Sequence, residues 1–369
     1  MIQEGKIGFA EGFSLLLITN ISILFLTLPA KLIGEHKTMA YLVYFLVLVM
    51  VLLIFWLMAA LMKRHQNITL IEVSEKLLGP YLGMVINLVF VLYFIVWESL
   101  LLRMYSETFI TTALPRTPVS AVLTTLVLAA FISAFYGLEV LARVARVSLT
   151  FIVLGLTIVF LSIMKEVDVT NLYPLWTSEP ITLFSNGVLH YTAAADLLVP
   201  AIIIHAFGGW RHFCRAGLLA FLTSRIIVGI ALLLILLTFG VQPSSEMLLP
   251  FYELSKLISF GRFFQRLEAV FLLTWSMVGY IKIGLYLYII AVILARMFRL
   301  EDYRPLLWVV ALLCYVLSIL PADLPTALVY YEAMRGTLGL VPTLAVPLLL
   351  LLVSMFKKNE ELGNDDSKT

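Results

Sequence analysis

The residues with the most chemical capacity in this chain are also the costliest to place. Lys282 stands in TWSMVGYIKIGLYLYIIAV (274–292), near the centre of a long apolar run. At 1.5 Å per helical residue it lies roughly 24 Å from Arg266 and roughly 21 Å from Arg296. A lysine stem of about 6 Å cannot carry its charge to either interface. Paired with a carboxylate, such an ammonium stays a cation and fixes the packing around it. Left alone, it is a carrier of protons. The acids deep enough to pair with it are Asp196 and Glu98, and the sequence favours Asp196. Arg103 and Glu107 lie one helical turn apart and are expected to satisfy each other.

Little else points to chemistry. His190 and His205 lack ligand spacing, and HYTAAAD (190–196) lacks the nucleophile of a hydrolytic or acyl-transfer site. There is no HExxH, no phosphate-cradling Gly-rich loop with Lys, and no GxSxG, so an enzyme is not expected. Cys214 and Cys314 have no CxxC or Cys/His spacing and read as small buried hydrophobes, so neither a metal nor a cofactor is expected. With a net charge of only +2, the 369-residue chain offers no surface for nucleic acid.

The elements that position these charges are membrane helices. The chain is 62% hydrophobic and 13% charged, with a mean hydropathy of +1.03, far above the roughly 45–50% apolar content of soluble domains. A span needs about 20 apolar residues, which gives ten segments: 8–29, 39–62, 80–110, 117–136, 144–164, 185–207, 215–240, 265–297, 304–320 and 336–356. Two amphipathic pieces, TLIEVSEKLLG (69–79) and MLLPFYELSKLISFG (247–261), are expected to lie along the interface. The start, MIQEGKIGFAEGF, lacks the basic stretch and cleavage site of a signal peptide, so the first run is expected to remain in the membrane. Lys and Arg concentrate in the loops that are cytoplasmic if both termini are cytoplasmic.

Ten spans divide into two halves of five, about 8–164 and 185–356, followed by a cytoplasmic tail, 357–369. An odd number per half turns the second half over, which is the arithmetic of an inverted repeat within a single transmembrane domain (1–356). The first helix of each half should then be broken at the bilayer midplane. ITNISILFLTLP (18–29) and NGVLHYTAAADLLVPA (186–201) are the candidates, with Thr19, Asn20 and Ser22 interrupting the first.

Three stretches together resemble one family: GLEVLARVARV (137–147), YELSKLISFGRFFQRLEAVFLLTW (252–275) and LEDYRPLL (300–307). They are similar to the B subunit of spore nutrient germinant receptors, the GerAB-type spore germination proteins, which are related to amino acid–polyamine–organocation transporters. The resemblance implies an all-α LeuT-like 5+5 fold. In it the broken helices 1 and 6, with helices 3 and 8, enclose a small-molecule site. Carried over by position, that site takes Thr19, Asn20, Ile21 and Ser22 from the first helix and Tyr191, Thr192, Ala193, Ala194, Ala195 and Asp196 from the sixth. Tyr93 is taken from the third and Thr274 and Met277 from the eighth; Glu98, also on the third, is a candidate peculiar to this chain and not part of the family pattern. The resemblance also places Lys282 at a recurrent basic position, where sodium-coupled relatives hold a cation. Many relatives have a Gly-x-Gly-like element where this chain has TNIS, so capture of a ligand carboxylate by bare backbone is not expected here. Glu98 favours a cationic or zwitterionic ligand.

The function so implied is a receptor subunit in the spore inner membrane that binds a small nutrient, with a receptor A subunit and a lipoprotein C subunit as partners and membrane lipid around it. The alternatives are a proton-coupled carrier of amino acids or amines, and a ligand-gated path for water or ions.

Overall fold

The computed structural model describes residues 5–65, 68–174, 192, 194–257 and 268–366. Their regular structure is helical apart from one isolated bridge between Ile7 and Phe207. The α-helices are α1 (Phe9–Ile21), α2 (Leu28–His36), α3 (Ala40–Arg64), α4 (Leu70–Thr112), α5 (Val119–Tyr136), α6 (Leu138–Ile163), α7 (Val199–Ile202), α8 (Trp210–Phe239), α9 (Val241–Glu246), α10 (Pro250–Lys256), α11 (Glu268–Met297), α12 (Arg304–Ile319), α13 (Leu324–Arg335), α14 (Thr337–Leu340) and α15 (Val346–Asp366). Among the described residues, seven helical stretches are long and apolar enough to cross a membrane, and two more, Phe9–Phe25 and Arg304–Ile319, are apolar but shorter. Of the expected sixth span, residues 185–191 and 193 lie outside the described part.

Helix α3 shows how such elements meet their surroundings. Val43, Val47, Val51, Ile54 and Met58 are buried in the protein, while Leu42, Leu46, Val49, Leu53 and Trp56 form an exposed apolar stripe at helical spacing. A stripe of that kind is stable against hydrocarbon, not water. Helix α11 is the opposite case. Within its most apolar stretch 83% of the residues are buried, the largest share of any span, because α1, α4, α5, α6 and α12 all pack on it. That enclosure lets a charge sit half-way along it. Close approach is also required at Gly279, where a Cβ would run into the Tyr105 ring.

Breaks in the helices follow local chemistry. Gly79, at φ 84°, and Pro80 turn the chain between the short 70–78 segment and the long remainder of α4, because glycine tolerates left-handed backbone and proline opens a new helix. Thr69 and Glu72 cap the short segment reciprocally, and Glu72 reaches Arg296 of α11 at 2.9 Å. The first helix tightens to a 3-10 turn over Ser22–Phe25, leaves helical geometry at Leu26 and restarts as α2 with Pro29 in its first turn. Pro29 has no N–H to continue the earlier ladder. The sixth segment stays irregular: extended at Ala194, 3-10 over Ala195–Leu197, a short α7, then 3-10 over Ile204–Ala206. Ile7 N–H donates to the Ala206 carbonyl at 2.8 Å, which ties the start of the chain to the end of that segment.

Three boundaries differ from the sequence reading. Helix α6 begins at Leu138, not near 144, because Glu139 and Arg143 pair along its first turns instead of standing in a loop. A helix not expected at all, α13, precedes the last span. The last span itself opens into a π turn at Val341–Ala345, where Pro342 removes an N–H, and then runs on to Asp366.

Candidate functional site

The site is built around the Lys282 ammonium, whose three N–H groups meet three acceptors. They donate to the Thr19 carbonyl at 3.0 Å, to Ser22 Oγ at 2.9 Å and to Asp196 Oδ2 at 2.9 Å. Lysine has no fourth donor. The first two acceptors belong to the end of α1 and the 3-10 turn after it, the third to the irregular sixth segment. One side chain from α11 therefore holds both broken elements. Asp196 is completed by the Tyr286 hydroxyl, which donates to Oδ1 at 2.8 Å. Tyr286 is one helical turn from Lys282, so the two grip the carboxylate from one face of α11. Both members of the ion pair are about 3–4% exposed at the side chain. Attraction across so dry a pair is strong, but desolvation of both ions offsets much of it.

The break in α1 feeds this cluster. Thr19 Oγ1 and Asn20 Nδ2 both donate to the Leu16 carbonyl, at 3.1 and 2.8 Å, and Ser22 Oγ donates to the Thr19 carbonyl at 2.7 Å. Short polar side chains compete here with the backbone ladder. The Thr19 carbonyl consequently accepts from two side chains, one of them cationic. Ile21 is buried beside them.

The face of α4 across from this cluster is polar, dry and unbonded. Glu98 is wholly buried, and neither of its carboxyl oxygens has a hydrogen-bond partner. The same holds for Tyr93 Oη, Trp97 Nε1 and Ser106 Oγ. Buried polar atoms are normally bonded, and each exception calls for a cause such as a group that binds there. Aromatic rings wall the region: Tyr93 and Trp97 lie 5.7 Å apart between centroids, and Trp97 and Tyr331 of α13 lie 5.0 Å apart. Glu98 lies within electrostatic reach of Lys282, though Lys282 makes its short contacts elsewhere.

The remaining sequence candidates divide. Thr192, Ala194 and Ala195 are buried next to Asp196, and Thr274 is buried on α11; Met277 is partly buried against the core. Tyr191 and Ala193 lie outside the described residues. Arg103 and Glu107 pair at 2.8 Å, and Arg103 also donates to the Ala322 carbonyl at 3.2 Å, a tether between α4 and the start of α13. Sequence reasoning missed Tyr286 and Tyr331, and it placed Arg225 within a span without giving it a role.

Comparison with known proteins agrees with this architecture. The family model described as "Spore germination protein" matches residues 6–326. Spore germination protein KB of Bacillus subtilis (strain 168) is 23% identical, with 97% of this chain and 96% of that protein covered. Spore germination protein A2 of the same organism is 22% identical, with 96% of each covered. Among solved structures, Mhp1, a nucleobase-cation-symport-1 family transporter in a closed conformation with bromovinylhydantoin bound, matches with a TM-score of 0.69 at 11% identity, over 92% of this chain and 78% of that one. A Na+-coupled sialic acid symporter in a substrate-bound outward-open state matches with a TM-score of 0.60 at 13% identity, over 94% and 78%. The fold is thus the LeuT-like one. The chain is an integral, multi-pass membrane protein whose relatives and fold neighbours are of permease and transporter type.

Proposed function

Because the chain belongs to the spore germination protein family, matched over residues 6–326, we propose that it is the membrane subunit of a germinant receptor in the inner membrane of a spore. It binds a small nutrient, an amino acid or amine-like molecule, at the bilayer midplane, with both termini in the cytoplasm. Its two halves, 8–164 and 185–356, are the inverted repeats, and 357–369 is the tail. A receptor A subunit and a lipoprotein C subunit are its partners.

The observation that carries this reading is the division of the buried layer. Lys282 spends all three N–H groups holding the two broken elements together, while Glu98, Tyr93 and Trp97 hold unbonded polar atoms a short way across. The first arrangement is a clasp, and the second is the place for the nutrient, with Glu98 taking its ammonium group. Lys282 does the holding that a bound cation does in sodium-coupled relatives. A ligand that fits one packing of the clasp better than another shifts the balance between them and so signals to the partner subunits. No net flux is needed.

The transporter fold favours a second reading, a proton-coupled carrier in which Lys282 is the coupling group. Purified protein in liposomes separates the two. Binding of a labelled amino acid without accumulation under a pH gradient is the receptor outcome, and uptake driven by that gradient is the carrier outcome. Faster osmotic swelling of the same liposomes on addition of ligand would instead reveal a gated water path. In spores, Lys282→Met and Asp196→Asn should each abolish nutrient-triggered germination, and normal germination with both variants would refute the clasp.

A further inference from the structure

Arg225 stands half-way along α8, about 21 Å or more from either end at 1.5 Å per residue, and is 1% exposed. A guanidinium carries five N–H donors and cannot shed its charge. Here Nη1 donates to the Tyr44 hydroxyl of α3 at 2.7 Å, and the group lies over the Tyr44 ring, 5.6 Å from its centroid. Nε has no partner. Among the described residues no carboxylate pairs with Arg225, whereas Arg103 holds Glu107 and Arg296 holds Glu72. A buried cation without a counter-ion is costly in any membrane protein and marks a functional position by default.

Helix α8 packs on α1 and on α3, and α3 also touches the Ala195–Leu197 turn, so Arg225 stands behind the two broken elements that the clasp joins. Lys282 has no donor left for an incoming anion. The 3-10 turn after α1 presents Thr19 to the layer as a carbonyl, an acceptor, which suits cations only. Arg225 brings a full positive charge and an unbonded Nε–H to offer an anion.

We propose that Arg225, steadied by Tyr44, is the specificity-determining group for a carboxylate on the ligand. This rests on the reading that a small molecule binds at the midplane. Glu98 and Arg225 then form opposite poles, and a ligand with a free carboxylate neutralises a guanidinium that no carboxylate among the described residues pairs. The fork of the guanidinium suits a carboxylate held by two parallel N–H bonds.

The test uses the purified full chain in detergent and measures binding of each common L-amino acid and of its carboxamide by calorimetry. The expected result is that at least one free acid binds and its carboxamide binds about a hundredfold more weakly, as befits loss of a buried charge-assisted contact. Arg225→Met should lose the acid to a similar degree, Arg225→Lys should recover only part of it, and Tyr44→Phe should lose less than Arg225→Met. If wild type binds acid and carboxamide alike, or if Arg225→Met unfolds at the wild-type temperature and keeps its affinity, the assignment is wrong while the receptor reading stands. If wild type binds none of these molecules, both fall. The acid-to-carboxamide comparison on wild type decides the question even if Arg225→Met fails to fold.

Discussion

The two sides of the buried midplane layer are built in opposite ways. Toward α1 and the sixth segment, Lys282, Ser22, Asp196 and Tyr286 bond one another through short contacts that leave no lysine donor spare. Toward α4, Glu98 and its aromatic neighbours present buried polar atoms with nothing bonded to them. The same polytopic core therefore contains a satisfied network and an unsatisfied one a short distance apart. A satisfied network rigidifies, and an unsatisfied one is a standing cost that a ligand can relieve. The contrast assigns holding to the first side and recognition to the second, and it can be broken by substitutions on each.

The largest effect on stability is expected from Lys282→Met. It leaves the Asp196 carboxylate buried without its cation and should cost about 3–5 kcal/mol, the usual price of half a buried pair. Unfolding in detergent measures it. The double variant Lys282→Met/Asp196→Leu should recover most of the loss, because removing both charges is often close to neutral. A double variant as unstable as the single one would show that the bonds to Thr19 and Ser22, not the ion pair, hold the clasp. Next is Tyr286→Phe, which deletes one hydrogen bond to a charged acceptor and should cost about 2 kcal/mol.

Glu98→Gln should reverse the pattern. Since the carboxyl oxygens have no partner, stability is expected to stay within about 1 kcal/mol of wild type or to rise, while nutrient binding and germination are lost. A large destabilisation would place Glu98 in the holding network and erase the contrast between the two sides.

Much of this was legible in the sequence, for identifiable reasons. Depth along a helix is simple arithmetic, so Lys282 announced itself, and the scarcity of buried acids pointed to Asp196. Thr19, Asn20 and Ser22 marked the end of regular α1 because short polar side chains compete with the backbone, although the chain leaves helical geometry only at Leu26. Tyr286 was not legible as a partner, since a tyrosine in an apolar run reads as packing until its hydroxyl is seen to face an acid. Arg225 was visible as a cation within a span, but its contact with Tyr44 joins residues 181 apart in the chain, and no periodicity encodes that. Helix α13 escaped because Glu332 and Arg335 interrupt its apolar pattern. Those charges are tied down in the fold, where Glu332 meets Lys31 of α2 at 3.0 Å and Arg335 is buried.

The smallest effect belongs outside the membrane layer, and it shows whether helix packing remote from the site feels pH. His65, at the end of α3, sits 2.8 Å from the Ser354 hydroxyl of α15 through Nε2. Partial burial, with Lys76 and Arg64 nearby, lowers its pKa below the ordinary 6.5. A histidine lowered in the folded state binds fewer protons than its unfolded counterpart. Its contribution to stability is therefore present above pH 6.5 and is lost as pH falls through the lower folded value. Mild acid should thus loosen the contact between α3 and α15, read as faster hydrogen exchange around residues 61–65. His65→Gln should flatten that dependence, keep the hydrogen bond to Ser354, and leave nutrient binding at neutral pH unchanged. If His65→Gln instead altered nutrient affinity, the contact between α3 and α15 would be part of the switch, and the division between holding and recognition would extend beyond the buried layer.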